Sequence, residues 1–448
     1  MSAYLAKYAD RPVPRYTSYP PANHFGPLDS SQTANWFKGW PKDSALSLYL
    51  HIPFCRTLCW YCGCHTHIVK KREPVASYVD LLLCEIDTVA GRIDQKPPVK
   101  HIHFGGGTPN TLLADELERI MAKLRQHFAI ADDAEIAMEI DPRVLTQGFA
   151  QTLAKTGFNR VSLGVQDVSQ DVQEKINRVQ SNALVEKAIG WLKAAGLDQI
   201  NVDLLYGLPG QTLEHIIRSA DCAVKWDVDR VAVFGYAHVP WFKKHQQVID
   251  TSELASPPER FDQAQMMAQR LTKNGMVAVG LDHFAKPDDP LAKAQAGNQL
   301  KRNFQGYTND NAPIMIGFGP SAVSQLPAGY LQNEPHLGRY RTTVDAGDLA
   351  IVRGFALSAD DRFCAAIIAE IMCGSHVDLA SACARHGQSF DRLSGAIDQL
   401  NELIDDGLAM LDGTVLKVTG KGQLYVRCIA ACFDQYFVPS TGQHSRAI

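Results

Sequence analysis

Residues 45–64 read ALSLYLHIPFCRTLCWYCGC, an apolar run followed at once by four cysteines, and this junction decides the fold. The run Ala45–Ile52 is β-type and carries no charge, as expected of a strand buried on both faces. Cys55, Cys59 and Cys62 follow in a C-x3-C-x2-C spacing, with Cys64 two residues on. A ligand-bearing loop directly after a strand is what a parallel sheet provides, because its sites gather at the carboxyl ends of its strands. Downstream, the runs VKHIHF, EIAMEI, NRVSLGV, QINVDLL and DRVAVF alternate with segments apolar at helical spacing, such as SYVDLLLCEIDTVAGRI, SNALVEKAIGWLKAAG and TLEHIIRSADCAV. The repeated strand-then-helix unit predicts an α/β fold with a parallel sheet, either a full or partial barrel or an open doubly wound sheet.

Upstream, residues 1–40 are rich in Pro, Tyr and Ser, and Pro12, Pro14 and Pro20 deny them regular helix or central strand, so an extended arm is expected. Beyond about residue 345 the pattern turns to helical runs (DLAIVRGFALS, AAIIAEIMCG, DRLSGAIDQLNELIDDG), then short β-like LAMLDG and TVLKVT and a last helix. The expected division is an arm over 1–40, a catalytic α/β domain over 41–345 and a mostly helical C-terminal domain over 346–448.

A chain of 448 residues, 46% hydrophobic, is long enough for such a division. Its net charge of −4 carries no basic excess, which excludes charge-driven binding of nucleic acid. The sequence shows neither a cationic start followed by an apolar stretch nor an uninterrupted apolar run of membrane-spanning length, so the expectation is a soluble, cytoplasmic protein. Eleven cysteines, odd in number and unevenly spaced, are expected to be reduced thiols.

Clustered thiolates are soft ligands that suit zinc or an iron-sulfur cluster better than a hard cation. Structural zinc usually needs a second C-x2-C pair or a Cys/His set, and no second knuckle follows here. Three cysteines can hold three irons of a 4Fe-4S cluster and leave the fourth open to a reactive ligand. A zinc site or buried thiols remain the alternative on spacing alone.

The loop resembles the radical S-adenosylmethionine (SAM) superfamily, in which an aromatic residue often precedes the third cysteine, as Tyr61 does here. RYTSYP in the arm, Cys64, HFGGGTP, GVQD, NVDLLYGLPGQT, YAHVP, GLDHFAKPDD, RNFQGYT and the C-terminal VTGKGQLYVRCIAACFDQY together resemble the oxygen-independent coproporphyrinogen III oxidase family, from about Pro14 to the end of the chain. The resemblance implies a partial (β/α)6 barrel of TIM type. It also implies one 4Fe-4S cluster on Cys55, Cys59 and Cys62, and two molecules of SAM. By the same resemblance, Tyr49, Tyr61, Gly106, Glu139 and Val323 contact the first SAM, and Gly107, Thr108, Gln166, Arg178, Asp203 and Ala237 the second. The implied reaction is oxidative decarboxylation of two propionates of coproporphyrinogen III to vinyl groups in porphyrin biosynthesis, fed by an unidentified reduced electron donor. A monomer without nucleic-acid or membrane partners is expected.

Read on their own, these residues leave alternatives. Gly105-Gly106-Gly107 after a strand lets backbone approach a ligand, but also makes an ordinary tight connection. Glu139 at a strand end can accept from ribose hydroxyls or simply be solvated, with Gln166 and Asp203 expected in register with it. Asp203 could cap YGLPG, and Arg178 could be a surface ion pair. His101 and His103 are expected to face the helix layer; His51, His65 and His67 lie beside the cysteine loop, and it is the resemblance, whose cluster uses three cysteines only, that implies they stay outside the ligand set. A tetrapyrrole with four carboxylates calls for a partly apolar cavity with cationic anchors, for which Arg15 and Arg302 are candidates, both also readable as surface residues. The arm is expected to fold over the barrel mouth. Rival readings are a haem-degrading or haem-trafficking relative, and a non-catalytic cluster or zinc-stabilised binding module.

Overall fold

The strand that opens the motif, β1 (Leu46–Ile52), lies in the middle of a twelve-stranded sheet. It pairs in parallel with β2 (Val99–Gly106), and the parallel series continues through β3 (Ile130–Ile140), β4 (Arg160–Gln166), β5 (Gln199–Tyr206) and β6 (Arg230–Gly235). These are the six runs read from the sequence. The computed structural model describes residues 4–29, 33–41 and 44–438, so residues 1–3 and 30–32 of the expected arm and 439–448 of the expected C-terminal domain lie outside the described residues. Beyond β6 come antiparallel β7 (Val277–Val279) and β8 (His283–Ala285). On the other side of β1, β9 (Ile314–Phe318) adds in parallel and is followed by antiparallel β10 (Val323–Leu326), β11 (Gly329–Asn333) and β12 (Ile351–Ala356). The order is β12-β11-β10-β9-β1-β2-β3-β4-β5-β6-β8-β7, a partial barrel.

Six helices accompany the parallel strands: α1 (Glu73–Arg92), α2 (Ala114–His127), α3 (Gln147–Thr156), α4 (Asn182–Ala194), α5 (Leu213–Lys225) and α6 (Pro257–Lys273). Side-chain oxygens start them where the sequence supplies one, Thr146 accepting from Phe149 N and Ser181 from Leu184 N, both at 3.2 Å. The helix α1 buries Val75, Tyr78, Val79, Leu82, Ile86 and Val89, a stripe at helical spacing, against the sheet. The two-residue period of a strand then sorts β1: Leu46, Leu48, Leu50 and Ile52 join the main core, while Ser47, Tyr49 and His51 turn to the barrel interior.

The same period corrects the reading of β2. Ile102 and Phe104 take the core side, so His101 and His103 face inward rather than toward the helices, His101 near Asp310 and His103 near Glu139. A second correction concerns DLAIVRGFALS, read as helical: Ile351–Ala356 is the edge strand β12, and the sheet therefore continues past residue 345. Gly354 bridges to Gly26 of the arm, and a Cβ there would lie 2.1 Å from the Tyr330 carbonyl oxygen, so the segment is shaped for strand packing.

The C-terminal region packs α7 (Ala359–Gly374), α8 (Leu379–Arg385), α9 (Ser394–Asp405) and α10 (Val426–Ala431) with a small antiparallel sheet of β13 (His376–Asp378), β14 (Ala409–Asp412) and β15 (Val415–Val418). Its core includes Phe363, Ile367, Ile371, Val426 and Ile429, and also Tyr8, Val13, Tyr16 and Tyr19 of the arm and Phe261 of α6. Apolar burial therefore fastens the arm to the C-terminal region and to the barrel's last helix. Among the described residues, no helix is long and apolar enough to cross a membrane.

Candidate active site

The cysteine loop is held through its backbone carbonyls and its two aromatic side chains. Trp60 and Tyr61 pack against a cluster of Val172, Ile176, Leu205, Leu208, Tyr236 and Ile249. Asn177 donates to the Leu58 carbonyl at 2.8 Å, Gln246 to that of Tyr61 at 2.9 Å and Lys243 to that of Cys64 at 2.9 Å. A short parallel pairing of Phe54–Cys55 with His67–Ile68 closes the loop's other side.

Each of the three motif thiols receives a donor. Thr66 and Thr108 hydroxyls lie 3.0 and 3.2 Å from Cys55 Sγ, Arg178 and Arg143 guanidinium nitrogens 3.5 and 3.7 Å from Cys59 Sγ, and the Cys64 amide 3.4 Å from Cys62 Sγ. Donors of this kind stabilise sulfur that carries negative charge, as thiolate ligands do. The Cys64 thiol, and to a lesser extent its amide, lowers the Cys62 thiol to about 7 by hydrogen bonding, whereas burial raises that of Cys55. Cys55 interacts electrostatically with both Cys59 and Cys62, although no three His, Cys, Asp or Glu side chains among the described residues close on a single-ion site. Three cysteine thiols, each with a hydrogen-bond donor on it, fit an iron-sulfur cluster by the chemistry of their sulfur.

The glycine turn after β2 approaches this loop closely. Gly106 has φ +114°, a left-handed conformation, and a Cβ there would meet the His51 ring at 2.7 Å. At Gly107 a Cβ would lie 2.8 Å from the Phe54 carbonyl oxygen, and its amide donates to Ile52 O at 2.8 Å. Beside the turn, Glu139 accepts from the Gly106 amide at 3.1 Å and lies 3.3 Å from His103 Nε2. Burial alone would raise the Glu139 carboxyl, but His103, the Gly106 amide and His51 outweigh it and hold it ionised below the usual range. Tyr49 stacks on His103 with ring centroids 6.0 Å apart, and Val323 lies over Gly317, the register partner of Tyr49.

The expected register of Glu139 with Gln166 and Asp203 is not found. Opposite Glu139 stands Ser162, and Asp203 stands opposite Gly164 on the next pair. A shift in the β4–β5 register, with Gln166 at φ +73°, displaces Gln166 one step further out. Ser162 nevertheless links the line by donating to Asp203 at 2.9 Å, with Asn201 donating at 2.7 Å. Asp203 thus caps no loop. Burial, reinforced by the Glu139 charge, raises its carboxyl to about 6. Nor is Arg178 a surface pair: it is buried, donates to the Gly164 carbonyl at 2.6 Å and lies 3.6 Å from Asp141. Arg178 and Thr108 therefore sit directly against motif thiols. Ala237 lines the adjoining cavity, its carbonyl held by Gln246 at 3.2 Å.

That cavity, about 1010 Å³, opens beside Cys64 and extends along β6 to the arm and the C-terminal region. Apolar walls from Val233, Phe234, Leu254, Phe284 and Phe304 alternate with Arg15, Arg260, Arg302 and Arg427. Arg15 and Arg302 are therefore cavity residues, and Arg302 has only 7% of its side chain exposed. Asp10, Pro12, Arg15 and Thr17 make the arm one wall of this cavity. Arg143, Ser162, Asp282 and Arg427 were not singled out from the sequence. Arg427 stood within the quoted VTGKGQLYVRCIAACFDQY, but nothing local marks it as cavity-facing.

Residues 49–223 match the radical SAM superfamily, and residues 357–425 match the HemN C-terminal domain. The oxygen-independent coproporphyrinogen III oxidase of Bradyrhizobium diazoefficiens is 45% identical over 450 residues, covering 100% of both chains. That of Synechocystis sp. is 38% identical and covers 100% of this chain and 98% of its own. The solved structure of coproporphyrinogen III oxidase (HemN) from Escherichia coli, a radical SAM enzyme, superposes with a TM-score of 0.91 at 36% identity, covering 94% of this chain and 98% of that one.

Proposed function

From the premise that the chain belongs to the oxygen-independent coproporphyrinogen III oxidase family of radical SAM enzymes, we propose how its residues divide the reaction. The enzyme converts two propionates of coproporphyrinogen III to vinyl groups, giving protoporphyrinogen IX. For each propionate, the substrate loses a hydrogen atom from the β carbon, an electron and carbon dioxide, while a SAM becomes methionine and 5′-deoxyadenosine. The β C–H bond is too weakly acidic for any side-chain base, so proton abstraction has no purchase on it. When bound, a 4Fe-4S cluster and SAM supply from one donated electron a 5′-deoxyadenosyl radical able to take that hydrogen.

Cys55, Cys59 and Cys62 would hold the cluster, which would supply the site at which SAM is reduced. The donors on Cys55 and Cys59 from Thr66, Thr108, Arg143 and Arg178 would offset the negative charge of the thiolates. Tyr49, Tyr61, Gly106, Glu139 and Val323 would line the first SAM, with ionised Glu139 accepting from ribose hydroxyls. Gly107, Thr108, Gln166, Arg178, Asp203 and Ala237 would line a second. Arg15 and Arg302 would bind substrate carboxylates, and the apolar walls would exclude water from the reacting carbon. The reading takes the enzyme as a monomer in the cytoplasm, with a reduced one-electron donor as its partner.

The observation that carries this reading is the joining of the cysteine loop to a large cavity with cationic walls at Cys64. The test is anaerobic: reconstitute the cluster, add dithionite, SAM and coproporphyrinogen III, and follow 5′-deoxyadenosine and vinyl-bearing porphyrin together. Both should accumulate, and both should vanish in Cys59→Ala. Deoxyadenosine without decarboxylated porphyrin would keep the SAM chemistry and overturn the substrate.

A further inference from the structure

Helix α1 carries a carboxylate deep in the core. Glu85 is 3% exposed, and the groups that act on its charge are three hydrogen-bond donors, none of them a cation. The Gly319 amide donates to Oε2 at 2.7 Å, the Tyr340 hydroxyl to the same oxygen at 2.6 Å, and Asn333 Nδ2 to Oε1 at 2.7 Å. Both oxygens are thus pure acceptors, which a carboxylate offers and an amide or a protonated carboxyl does not. Hydrogen bonds of this kind offset part of the cost of burying the charge. Asn333 fixes the polarity of the arrangement, because its Nδ2 also donates to the Gly319 carbonyl at 3.0 Å and its backbone amide to Ala322 O at 2.9 Å. Turning the Asn333 amide to present its oxygen to Glu85 would lose the bond to Gly319.

The turn held in this way faces the end of β1. Gly319 has φ +96°, and a Cβ there would lie 2.6 Å from the Tyr78 hydroxyl and 2.7 Å from the His51 carbonyl oxygen. Tyr78, on the same face of α1 as Glu85, donates to that carbonyl at 2.5 Å. His51 Nδ1 in turn lies 3.0 Å from the Tyr49 hydroxyl. Where the turn enters β10, a Cβ on Gly317 would meet the Val323 carbonyl oxygen at 2.6 Å, and Ser324 Oγ accepts from the Gly317 amide at 3.0 Å. By way of Gly319, Glu85 therefore stands behind both Tyr49 and Val323.

Resting on the SAM reading above, we propose that Glu85 is a positioning residue for the reaction: its carboxylate locks the turn 319–322 to α1 and thereby sets the spacing of Tyr49 and Val323 that receives the first SAM. Burial raises the carboxyl to about 7 against its three donors, so the lock loosens as pH falls through neutrality, when a proton on either oxygen removes an acceptor. The titratable groups that face it are Tyr78 and Tyr340, whose hydroxyls burial holds well above their usual range. Cys84, next to it on α1, is exposed, and Glu334, next to Asn333, is bound by Arg339 at 2.9 Å.

The test is equilibrium dialysis of SAM with the anaerobically reconstituted enzyme, parent against Glu85→Gln, with coproporphyrin III affinity measured alongside. The glutamine amide sets N–H against N–H, so at about pH 8 the variant should bind SAM about tenfold more weakly, with porphyrin affinity kept. The deficit should shrink toward about pH 6, where the parent's own carboxyl is protonated. Equal SAM affinity at the higher pH would overturn the proposal, as would a deficit that does not change with pH or one shared equally by the porphyrin. Should Glu85→Gln fail to fold, Tyr340→Phe removes one of the three donors with the ring kept and should weaken SAM about threefold; unchanged affinity there would contradict the lock. If the parent enzyme binds no SAM, the SAM reading itself falls; if it binds SAM and the variants match it, only the role of Glu85 does.

Discussion

The two ends of the cavity are built in opposite ways. At the cysteine end, contiguous words supply everything: the loop after β1, the glycine turn after β2 and Glu139 at the end of β3 meet because parallel strands bring their carboxyl ends together. Close backbone approach dominates there, with a Gly107 Cβ position 2.8 Å from Phe54 O. At the arginine end, charge dominates, and its residues come from the arm, a hairpin and α10. One end can therefore be broken by shape and metal ligation, the other by charge, and damage to one should spare the binding function of the other.

The largest effect is expected at the cysteine end. Cys59→Ala should lose the cluster's iron, sulfide and visible absorption, with turnover falling to background, yet still bind coproporphyrin III. Cys64→Ala, which removes a thiol but not the amide that donates to Cys62, should keep the cluster. Loss of porphyrin binding in Cys59→Ala would mean that the two ends are not separable.

Next in size is the arm. Removing residues 1–20 takes away a cavity wall and Arg15, and also Tyr8, Val13, Tyr16 and Tyr19 from the C-terminal core. Cluster assembly, read as iron and sulfide content, should survive, while decarboxylation should fall sharply; unchanged turnover would sink the arm's role at the mouth.

Gly107→Ala should act by shape. A methyl placed against the Phe54 backbone forces that segment to move, at a cost of about 1–3 kcal/mol. A lower melting temperature and weaker SAM retention in equilibrium dialysis are expected, with porphyrin affinity kept. Equal loss of SAM and porphyrin binding would erase the distinction between the ends.

The smallest effect concerns Asp203. Its folded carboxyl titrates near 6, against the ordinary 3.8. Because the folded value is raised, the stability tied to the bound proton is complete below the unfolded value and is lost as pH rises through about 6. The loss is of order 1–3 kcal/mol. Melting curves between about pH 4 and pH 8 should show a decline from this group that Asp203→Asn flattens; an identical slope in the variant would contradict the assignment.

The sequence made the cysteine end legible because ligand spacing, a Gly-Gly-Gly turn and strand-end acids are local patterns, and the parallel sheet converts them into neighbours. Its errors there were errors of register: His103 faces inward because Ile102 and Phe104 claim the core side, and Ser162 rather than Gln166 stands opposite Glu139. The strand Ile351–Ala356 resembled a helix because an edge strand shows no clean alternation, and its packing depends on Gly26 and Tyr330 far away in the chain. Arg15 and Arg302 were visible only within family-like words, and Arg427 not at all as a site residue. No periodicity encodes a charge cluster assembled by tertiary contacts between residues near 15, 302 and 427.

The account's central claim is that one cavity cleaves SAM at one end and holds the ring by charge at the other. The most direct measurement is the ratio of 5′-deoxyadenosine to vinyl groups formed under anaerobic turnover, compared between the parent enzyme and Arg302→Gln. The account expects about one deoxyadenosine per vinyl group in the parent, and in the variant continued SAM cleavage with few vinyl groups, because the radical forms while the propionate is misplaced. A variant in which both products fall together at an unchanged ratio would contradict it.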